Sequence, residues 1–247
     1  IKDLLFFIKQ IRIENIMEIG KLYGLGVGPG DPELVTLKAA RIIKETDIIF
    51  APQSRNGKPS VALNIVQNII DEREEECEIL QPLFPMTEDK DELAKSWDDA
   101  AEMLFEKLSN GLNAVFVTLG DPTVFSTFSY VSKRLQKKGV EVELVPGITS
   151  FTACSTTAGI QLTEQDDIMV VVPQVDERLP KLLPYVDTLV AMKTSRHLDV
   201  LEDCINKDPR EKEIVSVQNC TMEDENVVHG FVDNKKYFST SIIKFKK

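Results

Sequence analysis

Short apolar runs alternate with longer amphipathic segments along the N-terminal part of the chain. One apolar run leads into a glycine-rich loop at 24–30, and others occupy residues 47–51, 78–83, 113–119 and 141–145. Between them, apolar residues recur with helical periodicity at 34–45, 60–70, 91–110 and 126–138. This alternation predicts right-handed crossovers and a mostly parallel sheet. Pro82 predicts that the strand at 78–83 lies near a sheet edge or ends early.

The rhythm changes in the C-terminal part of the chain. A helix rich in small residues is predicted from 149–150 to Gly159, and a second one at 195–206 with Ser195 as its cap. Strands are predicted at 167–172, 186–192, 214–218, 226–232 and 237–244. The last two show a hairpin pattern around a turn at Asp233-Asn234. This part is therefore predicted to be mixed α/β with an antiparallel end.

These patterns together predict an α/β protein of two domains. Residues 17–122 would form a mostly parallel domain and residues 123–247 a mixed α/β domain. Met17 stands just before the first strand, so we interpret residues 1–16 as an N-terminal extension. The alternative is a short amphipathic helix packed on the body of the protein. A signal peptide is disfavoured because charged residues interrupt the apolar start and no small-residue cleavage site follows it.

Composition narrows the classes of partner. The chain has 247 residues and a formal charge of −11, from 40 acidic and 29 basic residues. That balance argues against nucleic acid or an anionic membrane as a partner. Four widely spaced cysteines and two histidines disfavour a zinc site or a disulfide framework and predict a reducing cytoplasm. No apolar run approaches the roughly 20 residues that span a bilayer.

Four glycines alternate in the first loop, at positions 24, 26, 28 and 30. We interpret them as a loop without side chains on one surface, which a flat ligand could approach closely. The alternative is a tight turn that binds nothing. A dinucleotide is disfavoured, because Pro29 occupies a position where the binding fingerprint requires glycine. Asp31 is also predicted to cap a helix beginning at Pro32, where a pyrophosphate would otherwise sit.

Two further strand ends carry similar turns. One reads Leu119-Gly120-Asp121-Pro122, and the other runs from Pro146 to Ser150. Ligands of parallel sheets bind beyond the carboxyl ends of the strands, which is where these turns fall. Each turn alone could equally be structural, with hydroxyls that merely cap the next helix.

These motifs together resemble the tetrapyrrole methylase superfamily, the S-adenosylmethionine-dependent enzymes of sirohaem and cobalamin synthesis. The matching segments are 24–32, 119–122, 146–150 and 158–163, although the family often has proline where Gln161 stands. Segments 84–87, 96–101, 126–130 and 237–239 are most similar to the methyltransferases acting at C-20 of precorrin-2 or cobalt-factor II. The resemblance covers the chain from Met17 onward.

The resemblance implies a homodimer of bilobal subunits with S-adenosylmethionine in a cleft between the lobes. It implies methylation of C-20 of precorrin-2 or cobalt-factor II in corrin biosynthesis. The alternatives are another C-methyltransferase of the superfamily, acting at a different ring carbon, on uroporphyrinogen III or in diphthamide formation, and a non-catalytic carrier of a corrinoid intermediate. A nicotinamide-dependent oxidoreductase is disfavoured by Pro29 and Asp31.

Cofactor contacts follow from the resemblance by position. They are Pro29, Leu119, Gly120, Asp121, Val124, Thr149, Ser150, Met192 and Cys220. The wider family often has glycine at the position of Cys220, so contact there would be through backbone. Met192 would by composition alone be a core residue. We hypothesise that Asp121 binds the ammonium or the ribose hydroxyls of the ligand.

The substrate implied is a ring with many carboxylates, which needs local cations on an acidic protein. The candidate cations, in or next to the strand-end loops, are Arg55, Lys58, Lys193 and Arg196, and Tyr130 is a further candidate for substrate contact. No protein-bound metal is expected, because displacement at a sulfonium requires mainly positioning and exclusion of water. A base for the ring proton could be Tyr130, Asp121 or His197, and the sequence does not choose between them.

Overall fold

The structure is a computed structural model of the chain, and it describes residues 18–54, 57, 59–232 and 237–246. The predicted extension at 1–16 and the turn at Asp233-Asn234 lie outside these residues, as do Arg55 and Lys58. The described chain divides into two compact units. The first contains residues 18–27 and 35–147, and the second contains residues 28–34 and 148–246.

The first unit alternates strands and helices as predicted. Its strands are β1 (Leu22–Gly26), β2 (Ile48–Phe50), β3 (Glu78–Leu80), β4 (Ala114–Thr118) and β5 (Val142–Val145). Its helices are α1 (Leu37–Glu45), α2 (Val61–Asp71), α3 (Lys90–Ser109) and α4 (Phe128–Lys137). The described strands pair in parallel in the order β3-β2-β4-β1-β5. The predicted parallel sheet is confirmed, and so is the edge position of β3.

Helices cover both faces of this sheet, because alternate strand residues are apolar on each side. On one face, Phe50 and Phe116 pack with Leu104 of α3 and Leu135 of α4. On the other face, apolar residues of β1, β2 and β4 pack with Ile43 of α1 and with α2. Strands buried on both faces are typical of parallel sheets.

The first helix begins later than predicted. Pro32–Leu34 is a separate 3-10 turn, and α1 starts at Leu37, so the prediction of a helix from Pro32 was wrong. Thr36 is extended and its Oγ1 accepts a hydrogen bond from the amide of Ala39 at 3.2 Å, which caps the true helix. Asp31 caps only the short turn, accepting from the Glu33 amide at 2.8 Å.

The first unit continues through Gly147, so it includes residues 123–147, which were predicted to belong to the second domain. β5 pairs with β1 over the register Leu22–Leu25. The ring of Phe128 in α4 lies 5.2 Å from the ring of Phe116 in β4. These contacts join segments far apart in the sequence, and they hold α4 and β5 on the first sheet.

The second unit is a mixed sheet with helices. Its helices are α5 (Ser150–Ala158), α6 (Leu179–Leu182) and α7 (Leu198–Asn206). Its strands are β6 (Met169–Val172), β7 (Thr188–Met192), β8 (Lys212–Gln218), β9 (Asn226–His229) and β10 (Ser239–Phe245). β6 and β7 are parallel, and the other described pairs are antiparallel, which confirms the predicted mixed architecture.

The predicted hairpin of the last two strands was wrong. The strand order is β6-β7-β10-β8-β9, so β10 lies between β7 and β8, and β9 pairs with the far side of β8. Almost every residue of β10 is buried, which favours a central position, whereas β9 is largely exposed at the edge. The helix predicted from Ser195 begins at Leu198 instead, after a 3-10 turn.

Among the described helices, none combines the length and the apolar character that a membrane-spanning segment requires.

Candidate active site

Three loops meet at the carboxyl ends of β4, β1 and β5 in the first unit. Each loop contributes a glycine, namely Gly120, Gly26 and Gly147. A Cβ atom added at Gly26 would lie 2.4 Å from the Gly120 carbonyl oxygen and 2.7 Å from the Gly147 nitrogen. A Cβ added at Gly147 would lie 2.2 Å from that same oxygen. The loops therefore contact one another directly through their backbones.

These contacts correct the interpretation of the alternating glycines. A Cβ at Gly24 would enter the ring of Phe128 at 2.2 Å, and one at Gly30 would lie 2.7 Å from the side chain of Met222. Gly28 has φ of +78°, which favours glycine. The protein itself fills the space beside Gly24, Gly26 and Gly30, so these glycines are explained by close packing of the chain rather than by a surface left open to a ligand.

Asp121 links two of the three loops. Its Oδ1 accepts hydrogen bonds from the amide and the hydroxyl of Thr123, and its Oδ2 accepts from the Gly147 amide at 3.0 Å. Burial by itself raises the pKa of Asp121, but the hydrogen bonds from Thr123 and Gly147 outweigh it and lower the pKa below its ordinary value. An ionised carboxylate offers about four acceptor positions. Donors among the described residues use three of them.

The remaining predicted residues of the first unit lie around this loop. Leu119 packs against the sheet core, and Gly120 has φ of +67°. Val124 donates its amide to the Asp121 carbonyl at 3.2 Å. Tyr130 lies in the first turn of α4 and is 44% exposed.

An aromatic stack that we did not predict supports Tyr130. Its ring lies parallel to that of Trp97, with centroids 4.0 Å apart and planes inclined by 3°. The Arg134 guanidinium lies over the ring of Trp97, 5.6 Å from the ring centroid. The Nε of Arg134 donates a hydrogen bond to Asp98. The segment 96–101 carried the resemblance to the C-20 enzymes, but its sequence alone does not reveal that Trp97 in α3 stacks on Tyr130 in α4, the next helix along the chain.

In the second unit, Pro29 and Cys220 lie on adjacent segments. Gly30 is so close to the carbonyl oxygen of Cys220 that an added Cβ would lie 3.0 Å from it. The amide of Asp31 donates to Thr221 Oγ1 at 3.0 Å. The structure thus brings these two predicted cofactor residues together. Pro29 itself is buried.

The side chain of Cys220 points into an apolar cluster with Cys154. The interaction between the two thiols raises the pKa of Cys154 and lowers that of Cys220. The residues on either side of Cys220 are strained, because Asn219 has φ of +46° and Thr221 has φ of +62°. With its side chain buried, Cys220 can offer a ligand mainly its backbone.

Thr149 and Ser150 begin α5. Thr149 has the extended backbone of an N-cap, yet its side chain makes no capping hydrogen bond. Its hydroxyl instead lies 2.9 Å from that of Thr152. Both Thr149 and Ser150 are half-buried, so plain capping does not explain the hydroxyl of Thr149.

Met192 ends β7 and is half-buried, and Lys193 follows with φ of +54°. The Lys193 ammonium lies over the ring of Tyr237, 5.9 Å from its centroid. His197 precedes α7 without a side-chain cap bond. The side chain of Arg196 lies outside the described part of the chain, as do Arg55 and Lys58.

The fold and these loops place the chain among α/β proteins with backbone-lined turns at the ends of parallel strands. The family model for Tetrapyrrole (Corrin/Porphyrin) Methylases matches residues 21–235. The chain therefore belongs to the tetrapyrrole methylase family and is a methyltransferase. The resemblance found in its motifs is confirmed.

Curated relatives include two with closely related names. The chain is 40% identical over 236 residues to a probable cobalt-precorrin-2 C(20)-methyltransferase of Methanocaldococcus jannaschii, covering 93% of this chain and 98% of the relative. It is 38% identical over 178 residues to the cobalt-precorrin-2 C(20)-methyltransferase of Salmonella typhimurium, covering 70% of this chain and 73% of the relative.

Solved structures share the fold. A cobalt precorrin-4 methyltransferase superposes with a TM-score of 0.72 at 22% identity, covering 91% of this chain and 94% of the other. A uroporphyrin-III C-methyltransferase from Thermus thermophilus, complexed with S-adenyl homocysteine, has a TM-score of 0.64 at 25% identity, covering 91% and 97%.

Proposed function

We propose that this chain transfers a methyl group from S-adenosylmethionine to C-20 of precorrin-2 or cobalt-factor II in corrin biosynthesis. The observation that carries the proposal is the 40% identity to the Methanocaldococcus jannaschii relative along nearly the full length of both chains. The Thermus thermophilus structure with S-adenyl homocysteine supports S-adenosylmethionine as the methyl donor.

We propose as donor contacts the nine residues that the resemblance implies by position. In the first unit they are Leu119, Gly120, Asp121 and Val124. In the second they are Pro29, Thr149, Ser150, Met192 and Cys220. The contact of the Pro29 and Cys220 segments supports this set, as does the Thr149 hydroxyl, which does not cap its helix.

Asp121 has a double role in this proposal. It holds Gly147 against the β4 loop, and its remaining acceptor position receives the ammonium or a ribose hydroxyl of the donor. Its lowered pKa keeps the carboxylate ionised at neutral pH, which suits a cationic partner.

The chemistry demands little from side chains. The sulfonium of S-adenosylmethionine supplies an activated methyl group and a neutral leaving group. The protein must hold the ring carbon about 3–3.5 Å from that methyl group and exclude water. Backbone-lined loops fixed by direct contact, such as those at Gly26, Gly120 and Gly147, provide a rigid support for such positioning.

Carboxylates on the ring require cations, and Lys193 is the candidate best supported among the described side chains. Tyr130 would contact the ring itself, since its stack with Trp97 covers one face and leaves the residue 44% exposed. Arg55, Lys58 and Arg196 remain proposed substrate contacts. A homodimer in the cytoplasm is likewise proposed from the resemblance, and light scattering coupled to size-exclusion chromatography tests the dimer.

The deciding experiment supplies precorrin-2, with and without cobalt, together with donor labelled with 13C in the methyl group. We expect one new methyl signal, placed at C-20 by NMR, and release of S-adenosylhomocysteine. Uroporphyrinogen III and a diphthamide-precursor protein serve as competing acceptors. Methylation of either, or at another ring carbon, would assign the chain to a different member of the family. Binding without turnover would indicate a carrier.

A further inference from the structure

Lys193 is a half-buried lysine that has no ionic partner among the described residues. Within the described residues, Lys193 forms no ion pair, although the protein has an excess of acidic side chains. It also adopts a left-handed backbone, with φ of +54°, which a lysine rarely does without support from its surroundings. A cation held in this manner is available to an anion from outside the protein.

Tyr237 provides one part of that support. Its ring lies beneath the Lys193 ammonium at 5.9 Å, within the range of a cation–π interaction. This contact orients the ammonium without neutralising it, whereas a carboxylate would do both. Both side chains are half-buried, so solvent screens them only in part.

A chain of buried hydroxyls fixes the turn after Lys193. Ser239 Oγ accepts from the Ser195 amide at 3.1 Å and from the Thr194 hydroxyl at 3.2 Å. Ser241 donates to Thr194 Oγ1 at 3.5 Å, and its own hydroxyl lies 2.8 Å from that of Ser216. All of these hydroxyl residues except Ser195 are buried. Satisfied polar groups in a core rigidify and specify their surroundings.

The same segment also holds the loop that carries Cys220. The carbonyl of Phe238, between Tyr237 and Ser239, accepts the Asn219 amide at 2.8 Å. The segment 237–239 therefore fixes two turns at once, one after Met192 and one before Cys220.

We propose that Lys193 binds a carboxylate of the tetrapyrrole substrate, and that Tyr237 and Ser239 are positioning residues that hold its ammonium in place. This proposal rests on the proposed function. It names Lys193 as the group that recognises the acidic side chains of the tetrapyrrole ring. A bidentate or single charge-assisted hydrogen bond from an ammonium to a carboxylate is among the stronger polar contacts in proteins.

The test compares Lys193→Met with Lys181→Met, which removes the same charge at an exposed position of the same unit. Methyl transfer is followed with saturating donor and varied tetrapyrrole. In Lys193→Met we expect KM for the tetrapyrrole to rise about tenfold or more, as for loss of a charged hydrogen bond. KM for S-adenosylmethionine and kcat at saturation should not change. Lys181→Met should behave as wild type.

Tyr237 and Ser239 are tested in the same assay. Tyr237→Leu removes the ring and should raise the KM for the tetrapyrrole about twofold to fivefold. Tyr185→Leu, at a 74% exposed tyrosine, is the matched control. Ser239→Ala should raise KM for the tetrapyrrole while the affinity for the donor and kcat stay at wild-type values.

Several results would overturn the assignment. One is an unchanged KM in Lys193→Met with normal turnover, and another is an equal rise in Lys181→Met, which would indicate a net-charge effect. Loss of donor affinity in Tyr237→Leu or Ser239→Ala would indicate a purely structural role. Failure of the proposed function differs from all of these, because wild type itself would then neither bind the tetrapyrrole, measured by quenching of Trp97 fluorescence, nor methylate it.

Discussion

Replacing Gly147 by alanine separates two explanations of the strand-end glycines. If the glycines exist to admit a ligand, an added methyl group should weaken donor binding and leave the protein stable. If they exist because the loops touch, the methyl group should destabilise the protein even without a ligand. The structure favours the second outcome, since the new Cβ would lie 2.2 Å from the Gly120 carbonyl oxygen and 2.7 Å from Gly26 Cα.

The magnitude follows from the nature of these contacts. Gly147 does not have a positive φ, so alanine adopts its backbone conformation without strain. Overpacking a well-packed site costs about 1–3 kcal/mol, and the upper end applies here because backbone lies on both sides and cannot rotate away. For a chain of this size, about 3 kcal/mol corresponds to a fall in Tm of roughly 6–12 °C.

Gly139→Ala is a contrasting control, in which the strain is conformational and there is no overlap with neighbouring atoms. Its φ is +89°, but an added Cβ would have nothing within 4 Å. It therefore measures the conformational cost alone, about 1–2 kcal/mol. Thermal unfolding of the ligand-free protein, followed by circular dichroism, compares the variants. A Gly147→Ala protein as stable as wild type, with weakened binding of S-adenosylhomocysteine, would refute the packing explanation.

Three other predictions follow from the same geometry. Because the folded-state pKa of Asp121 lies below its ordinary value of 3.8, its contribution to stability is complete above that pH and is lost as the pH falls through the lowered pKa. The Tm difference between wild type and Asp121→Asn should therefore shrink below about pH 4, and a constant difference would contradict this. Trp97 is the single tryptophan and stacks on Tyr130. Tyr130→Leu should therefore shift the fluorescence emission of Trp97 to longer wavelength and increase its quenching by acrylamide. An unaltered spectrum would contradict the stack. Arg210 donates hydrogen bonds to the Val186 and Leu183 carbonyls at 2.8 and 2.7 Å. Arg210→Ala should therefore lower the free energy of unfolding, measured by urea titration, by about 2 kcal/mol. A change within experimental error would contradict this.

The sequence was sufficient for elements whose signals are local. Alternation of short apolar runs with helical periods predicted the parallel sheet, and Pro82 predicted an edge position for β3. It was insufficient where pairing is non-local. β10 lies between β7 and β8 because its residues are buried along nearly their whole length, and nothing in the segment 226–244 distinguishes this from a hairpin.

The candidate site shows the same limit for individual residues. A sequence with alternating glycines looks the same whether a ligand or the protein fills the space beside them. Here Phe128 and the neighbouring loops fill it. Ser239 and Ser241 alternate in a strand as solvent-facing polar residues do, yet both are buried and hydrogen-bonded. Their role becomes visible only when the turn after Lys193 is placed beside them.

The backbone of Cys220 lies beside Gly30, while its side chain lies in the core. The structure places the sulfur in the core against Cys154, and a left-handed turn at Asn219 and Thr221 sets the direction of the backbone. Asn219 is held by Phe238, and Thr221 Oγ1 accepts the Asp31 amide. The left-handed conformations fall on its two neighbours, where hydrogen bonds hold them, so Cys220 itself needs no positive φ and its side chain remains in the core.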